Sequence, residues 1–171
     1  MKDKDNIKSI IRKYGRVILA SEGFKEAFSQ PHHFNSTVGD HTLGVTVEAV
    51  RICLRRGITD DITLKNVVTA SLCHDLGILG RKDKFRNNVQ CLIWHPVHSV
   101  KKYQDITGEN DERVRDAILC HMFPLKPKMP AYREGWILVI ADKIAAAREK
   151  TGFPSVTPED RAEIISLKEL T

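Results

Sequence analysis

The stretch Ser71-Leu72-Cys73-His74-Asp75-Leu76-Gly77 sets a histidine beside an aspartate at the end of an apolar helical segment. Thr63 reads as the N-cap of that segment, Leu64 to Leu76, and Val67, Val68, Ser71, Leu72 and Leu76 recur at helical spacing as its buried side. Adjacent helical residues point about 100° apart, yet side chains of unequal length on a last turn can converge on one point beyond it. An imidazole nitrogen and a carboxylate oxygen make a usual mixed donor set for a divalent transition metal. Burying an unpaired carboxylate is costly, so Asp75 in this apolar run needs a cation or a donor nearby.

Two further residues give the doublet company. His41 stands at the head of an amphipathic helix predicted over 40–56, with Leu43, Val47, Val50 and Leu54 at helical spacing and Gly57 as the stop. Asp142 is an acid on the otherwise apolar turn Val139 to Ile144. A ligand set of His41, His74, Asp75 and Asp142 takes one helix early in the chain, one in the middle and one late, so a shared ion would tie the bundle together.

Helical periodicity dominates elsewhere. Ile7, Ile10, Ile11 and Tyr14 fit one face of an opening helix that stops at Gly15. Residues 77–94 read as irregular, with a basic cluster at Arg81, Lys82, Lys84 and Arg86, and Pro96 suits the first turn of a helix ending near Thr107-Gly108. Asn110 or Asp111 caps the next helix, through His121. Tyr132 to Lys150 is another, and Thr157-Pro158-Glu159-Asp160 starts the last. Trp94 and Trp136 read as core anchors, and His98 and the His32-His33 pair as surface or capping residues, although His33 can line a pocket entrance just ahead of His41. The sum is an all-α chain of six or seven helices with no convincing sheet.

With 171 residues the chain is expected to form one domain, residues 1–171, with a real core. Its 27 basic against 22 acidic residues give +5, an excess that suits an anionic small molecule. No run of five basic residues appears and aromatics are only 6%, so stable nucleic-acid binding is not expected. Nothing approaches the roughly 18 apolar residues of a membrane span. Cys53, Cys73, Cys91 and Cys120 form no Cys-x-x-Cys pair, and most lie in apolar runs as small core residues. Reduced thiols and no export signal lead us to expect the cytoplasm.

The order His41, His74-Asp75, Asp142 resembles the HD-domain superfamily of phosphohydrolases over roughly residues 35–150. The resemblance implies an HD-type all-α bundle. Many members carry two further histidines between the doublet and the last aspartate, and these match His95, in Trp94-His95-Pro96-Val97-His98-Ser99, and His121. By the same match His95 rather than His98 is the ligand. The resemblance therefore implies two divalent ions: His41, His74, Asp75 and Asp142 around the first, His95 and His121 at the second, and Asp75 bridging. His74 and Asp75 are then the catalytic pair. A glycine-then-lysine after the doublet is frequent in two-metal members; here Ile78 follows Gly77, leaving Arg81, Lys82 or Lys84 to meet a substrate phosphate.

The implied reaction is hydrolysis of a phosphoester or phosphoanhydride, in a nucleotide or other small phosphorylated metabolite, by a metal-bound hydroxide. The same six ligands also occur in diiron oxygenases of the superfamily, and a metal- and nucleotide-binding sensor without turnover is a third reading. Metal identity among iron, manganese, nickel, cobalt, zinc and magnesium, the substrate and the oligomeric state are not written in these residues.

Overall fold

The computed structural model describes residues 2–32 and 36–166, the first two as backbone only, and every regular element among them is helical. Seven helices have eight or more residues: α1 (Lys2–Ala20), α3 (Val38–Arg55), α4 (Asp61–Cys73), α6 (Asn88–Thr107), α7 (Glu112–Cys120), α8 (Arg133–Lys150) and α9 (Pro158–Ile165). Two short ones, α2 (Glu22–Glu26) and α5 (Arg81–Lys84), and two 3-10 turns at Ala27–Ser29 and Leu76–Ile78 complete the described chain. The architecture is all-α. No helix among the described residues is long and apolar enough to cross a membrane.

Helix α4 sits at the centre, packed against α1, α3, α6, α7 and α8. Leu64, Val67, Val68, Ala70, Leu72 and Cys73 are all buried, and residues on every side of this helix are covered. A helix apolar all round belongs in an interior, so its C-terminal end, with His74 and Asp75, arrives in the middle of the molecule.

Several local boundaries differ from the sequence reading. Helix α4 begins one turn early, because Asp60 rather than Thr63 is its cap: the Asp60 carboxylate accepts from Thr63 N at 2.9 Å. Helix α1 does not stop at Gly15 but runs on to Ala20. There the missing side chain serves packing, since a Cβ on Gly15 would lie 2.5 Å from Leu72 Cδ1. Helix α6 starts not at Pro96 but at Asn88, with the Asn87 side chain accepting from Gln90 N at 2.8 Å. Proline is disfavoured inside a helix, yet Pro96 lies within α6, on which the 76–78 turn packs.

Trp94 and Trp136 are not core anchors. They are 50% and 36% exposed, each immediately preceding an inward-facing residue, His95 or Ile137, and so turned about 100° outward. All four cysteines are buried free thiols, and burial pushes the Cys53 and Cys120 thiols up to about 11.

Candidate metal centre

Helix ends deliver two of the histidines. His74 and His121 are the C-cap residues of α4 and α7, where the last carbonyls have no partner within the helix. Each imidazole takes one of them: His74 Nδ1 donates to Ser71 O at 2.8 Å, and His121 Nδ1 to Ile118 O at 2.7 Å. The two caps share a local sequence, Leu72-Cys73-His74 and Leu119-Cys120-His121. On α6, His95 Nδ1 donates to Cys91 O at 2.8 Å. Carbonyl oxygens only accept, so in all three rings Nδ1 carries the proton and Nε2 presents a lone pair.

These lone pairs meet at Asp75. Its Oδ2 lies 3.5 Å from His74 Nε2 and 4.0 Å from His41 Nε2, while Oδ1 lies 3.3 Å from His95 Nε2 and 3.5 Å from His121 Nε2. His41 Nε2 is 3.1 Å from Asp142 Oδ1. Three groups of side chains have donor atoms close enough to share an ion: His41, His74 and Asp142; Asp75, His95 and His121; and His32, His41 and Asp75. With metal–donor bonds of about 2.1 Å, two donors on one ion sit roughly 3.0 Å apart when adjacent and about 4.2 Å when opposite. The five separations given for Asp75 and Asp142, from 3.1 to 4.0 Å, fall in that span.

Without a cation the arrangement is unfavourable. His95 Nε2 and His121 Nε2 face each other at 3.1 Å, and two neutral imidazoles held in this tautomer have no proton to share. His74 Nε2 and Asp75 Oδ1 are buried and make no hydrogen bond, a costly state for polar atoms. The residues fit divalent ions.

The electrostatics follow from this crowding. Burial alone would raise the Asp75 carboxyl and lower the His41 imidazolium. The surrounding imidazoles hold Asp75 well below the usual carboxylate range, and hydrogen bonds to Asp142 and Glu149 push His41 up to about 10. His74, fully buried, falls to about 4. Burial raises Asp142, but its hydrogen bond to His41 outweighs this and depresses it.

Gly77 sets the spacing between the doublet and α6. A Cβ there would lie 2.1 Å from His95 O and 2.6 Å from Ser99 N, so the turn after Asp75 can rest on the α6 backbone only as glycine. Gly77 N also donates to Ser99 Oγ at 2.9 Å.

The six sequence-derived ligands, His41, His74, Asp75, His95, His121 and Asp142, thus lie together. The basic cluster is divided. Arg81 lines the cleft of about 480 Å3 over the centre, shared with Ile78, Leu92, Met122, Leu125 and Lys143. Lys82 instead lines an adjoining cleft of about 700 Å3 with Arg86. Lys84 turns inward and donates to Leu79 O at 2.5 Å. Among the described residues the sequence reading missed three at the centre. Glu149 accepts from His41 Nδ1 at 3.0 Å; its spacing of seven from Asp142, two helical turns on one face, is a usable signal. Lys143 Nζ lies 2.6 Å from Asp142 Oδ2. His32 faces Asp75 rather than solvent, and no pattern in its neighbours marks it. His33 lies outside the described residues.

Comparison with known proteins agrees with this geometry. The family model described as the HD domain matches residues 38–147, from the start of α3 to the last turns of α8. No curated protein and no solved structure matches the chain. The match spans well over half the polypeptide and takes in His41, His74, Asp75, His95, His121 and Asp142. On that extent, the chain belongs to the HD-domain family.

Proposed function

We propose that this protein is a metal-dependent phosphohydrolase, with two divalent ions, acting on a phosphoester or phosphoanhydride in a nucleotide or other small phosphorylated metabolite. One observation carries the reading: the two oxygens of Asp75 face two separate nests of imidazole nitrogens, His41 and His74 on one side, His95 and His121 on the other. A carboxylate so placed could offer one oxygen to each of two ions. HD-domain proteins in general bind divalent metals and hydrolyse phosphorylated compounds, and this chain's donors suit that chemistry.

Bound ions supply a water whose pKa is lowered to about 7 and a countercharge for the phosphoryl oxygens. The chain supplies the rest. Nδ1 hydrogen bonds fix each ring with Nε2 inward, so the donors need little reorganisation. Arg81 and Lys143 stand at the cleft as cations for the charge that develops on the transferring phosphoryl group. Ile78, Leu92, Met122 and Leu125 give the same cleft an apolar wall for the organic part of the substrate. In this reading the protein works on small molecules in the cytoplasm.

The test is elemental analysis of the purified protein together with a screen of nucleotides and phosphorylated metabolites. Two metal equivalents and release of phosphate or a nucleoside monophosphate are expected. Oxygen consumption without phosphate release, or nucleotide recovered intact after long incubation, overturns the reading in favour of an oxygenase or a sensor.

A further inference from the structure

We propose that His32 is a seventh protein donor to the metal centre, carried by the chain ahead of α3 instead of by a helix. The inference rests on the metal-dependent reading above and adds a residue to it. His32 Nε2 lies 3.6 Å from Asp75 Oδ2, on the same side of that carboxylate as His41 and His74. Its donor atom and those of His41 and Asp75 all lie within 4.8 Å of one another. The His32 side chain is only 6% exposed, and its ring lies against that of His41 with centroids 4.5 Å apart and planes at 37°. Two imidazoles on neighbouring positions of one ion adopt that kind of approach.

The backbone holds His32 there. His32 N donates to Ser36 O and Val38 N to Gln30 O, both at 2.9 Å, and Pro31 pairs with Thr37 in an antiparallel bridge. These bonds fix the backbone at His32. Ser36 Oγ reaches Glu149 Oε2 at 3.3 Å, so the residue that pairs with His32 also meets the carboxylate that holds His41.

A seventh donor makes the centre asymmetric. His32 groups with His41 and Asp75, and His41 also groups with His74 and Asp142, whereas His95 and His121 group with Asp75 alone.

Cobalt(II)-loaded protein tests this directly. In proton NMR each coordinated histidine with a protonated Nδ1 gives one strongly shifted, exchangeable imidazole N–H resonance. The wild type is expected to show five, and His32→Ala and His32→Gln four. Chelator competition should show one of the two metal equivalents weakened at least about tenfold in these variants. Four resonances in the wild type, or variants with wild-type affinity and an unchanged spectrum, overturn the role of His32 while leaving the metal centre intact. A wild-type protein that takes up no cobalt overturns both readings, so the two failures are distinguishable. The wild-type count decides even if a variant does not fold.

Discussion

Glu149 Oε1 and Asp142 Oδ1 hold opposite nitrogens of one ring, His41, at 3.0 Å from Nδ1 and 3.1 Å from Nε2. Both carboxylates come from α8, seven residues apart, so one helix face grips the imidazole from both edges. Glu149 fixes the tautomer that presents Nε2 to an ion. Glu149→Ala should lower metal affinity by about 10- to 100-fold with helix content unchanged, whereas Glu149→Gln, which keeps an acceptor for Nδ1–H, should lose less. Chelator competition on the two variants measures the difference.

Asp75→Ala removes the carboxylate that faces both nests of nitrogens. Metal content and hydrolysis should disappear together in a protein that still folds. A folded Asp75→Ala protein with two metal equivalents and full turnover would falsify the bridging assignment.

Proton and metal compete for His41. Its imidazolium, at about 10 in the metal-free fold against an ordinary 6.5, contributes stability that is fully present below about pH 6.5 and lost as pH rises towards 10. Metal-free protein should therefore melt at a lower temperature at pH 8.5 than at pH 7, with a slope of at most about 1.4 kcal/mol per pH unit from this group. His74, at about 4, stays neutral in the fold across that window, and its unfolded imidazole is mostly deprotonated by pH 7, so it adds little to the slope. Metal-loaded protein should lose this trend or reverse it, because ions bind the deprotonated ring. Thermal melts at the two pH values, with and without chelator, give the comparison.

Gly77→Ala forces a methyl group against the main chain of α6, where no rotamer change can relieve it. We expect a loss of about 1–3 kcal/mol, read by denaturant titration, and weaker retention of the second metal equivalent. Gly15→Ala meets only the Leu72 side chain, which can turn, and should cost less.

Much of the fold was legible because helix periodicity and caps are local. The Thr157 cap, the Gly57 stop and the apolar run of α4 all depend on near neighbours in sequence. So do the histidines of α4, α6 and α7, whose Nδ1 partners lie three or four residues back. What escaped depends on distant packing. Gly15 reads as a terminator until Leu72 arrives against it, and Pro96 reads as a helix start until the 76–78 turn lies on α6. Lys84 belongs to a basic cluster in sequence, yet its ammonium ends on the Leu79 carbonyl, where burial lowers its pKa. Trp94 was misjudged because aromatic character says nothing about which way a helix is rotated. His32 carries no periodic signal, since an irregular segment fixes its direction only through contacts made elsewhere.

The carbonyls of Ser71, Cys91 and Ile118 have a further consequence. Because each of these rings is anchored by its own helix, the donors are aimed before any ion comes. A socket formed with the fold does little to sort ions by demanding movement from them. Occupancy should then track supply and intrinsic affinity, and the same polypeptide purified from media of different mineral content should carry different metals in the same places.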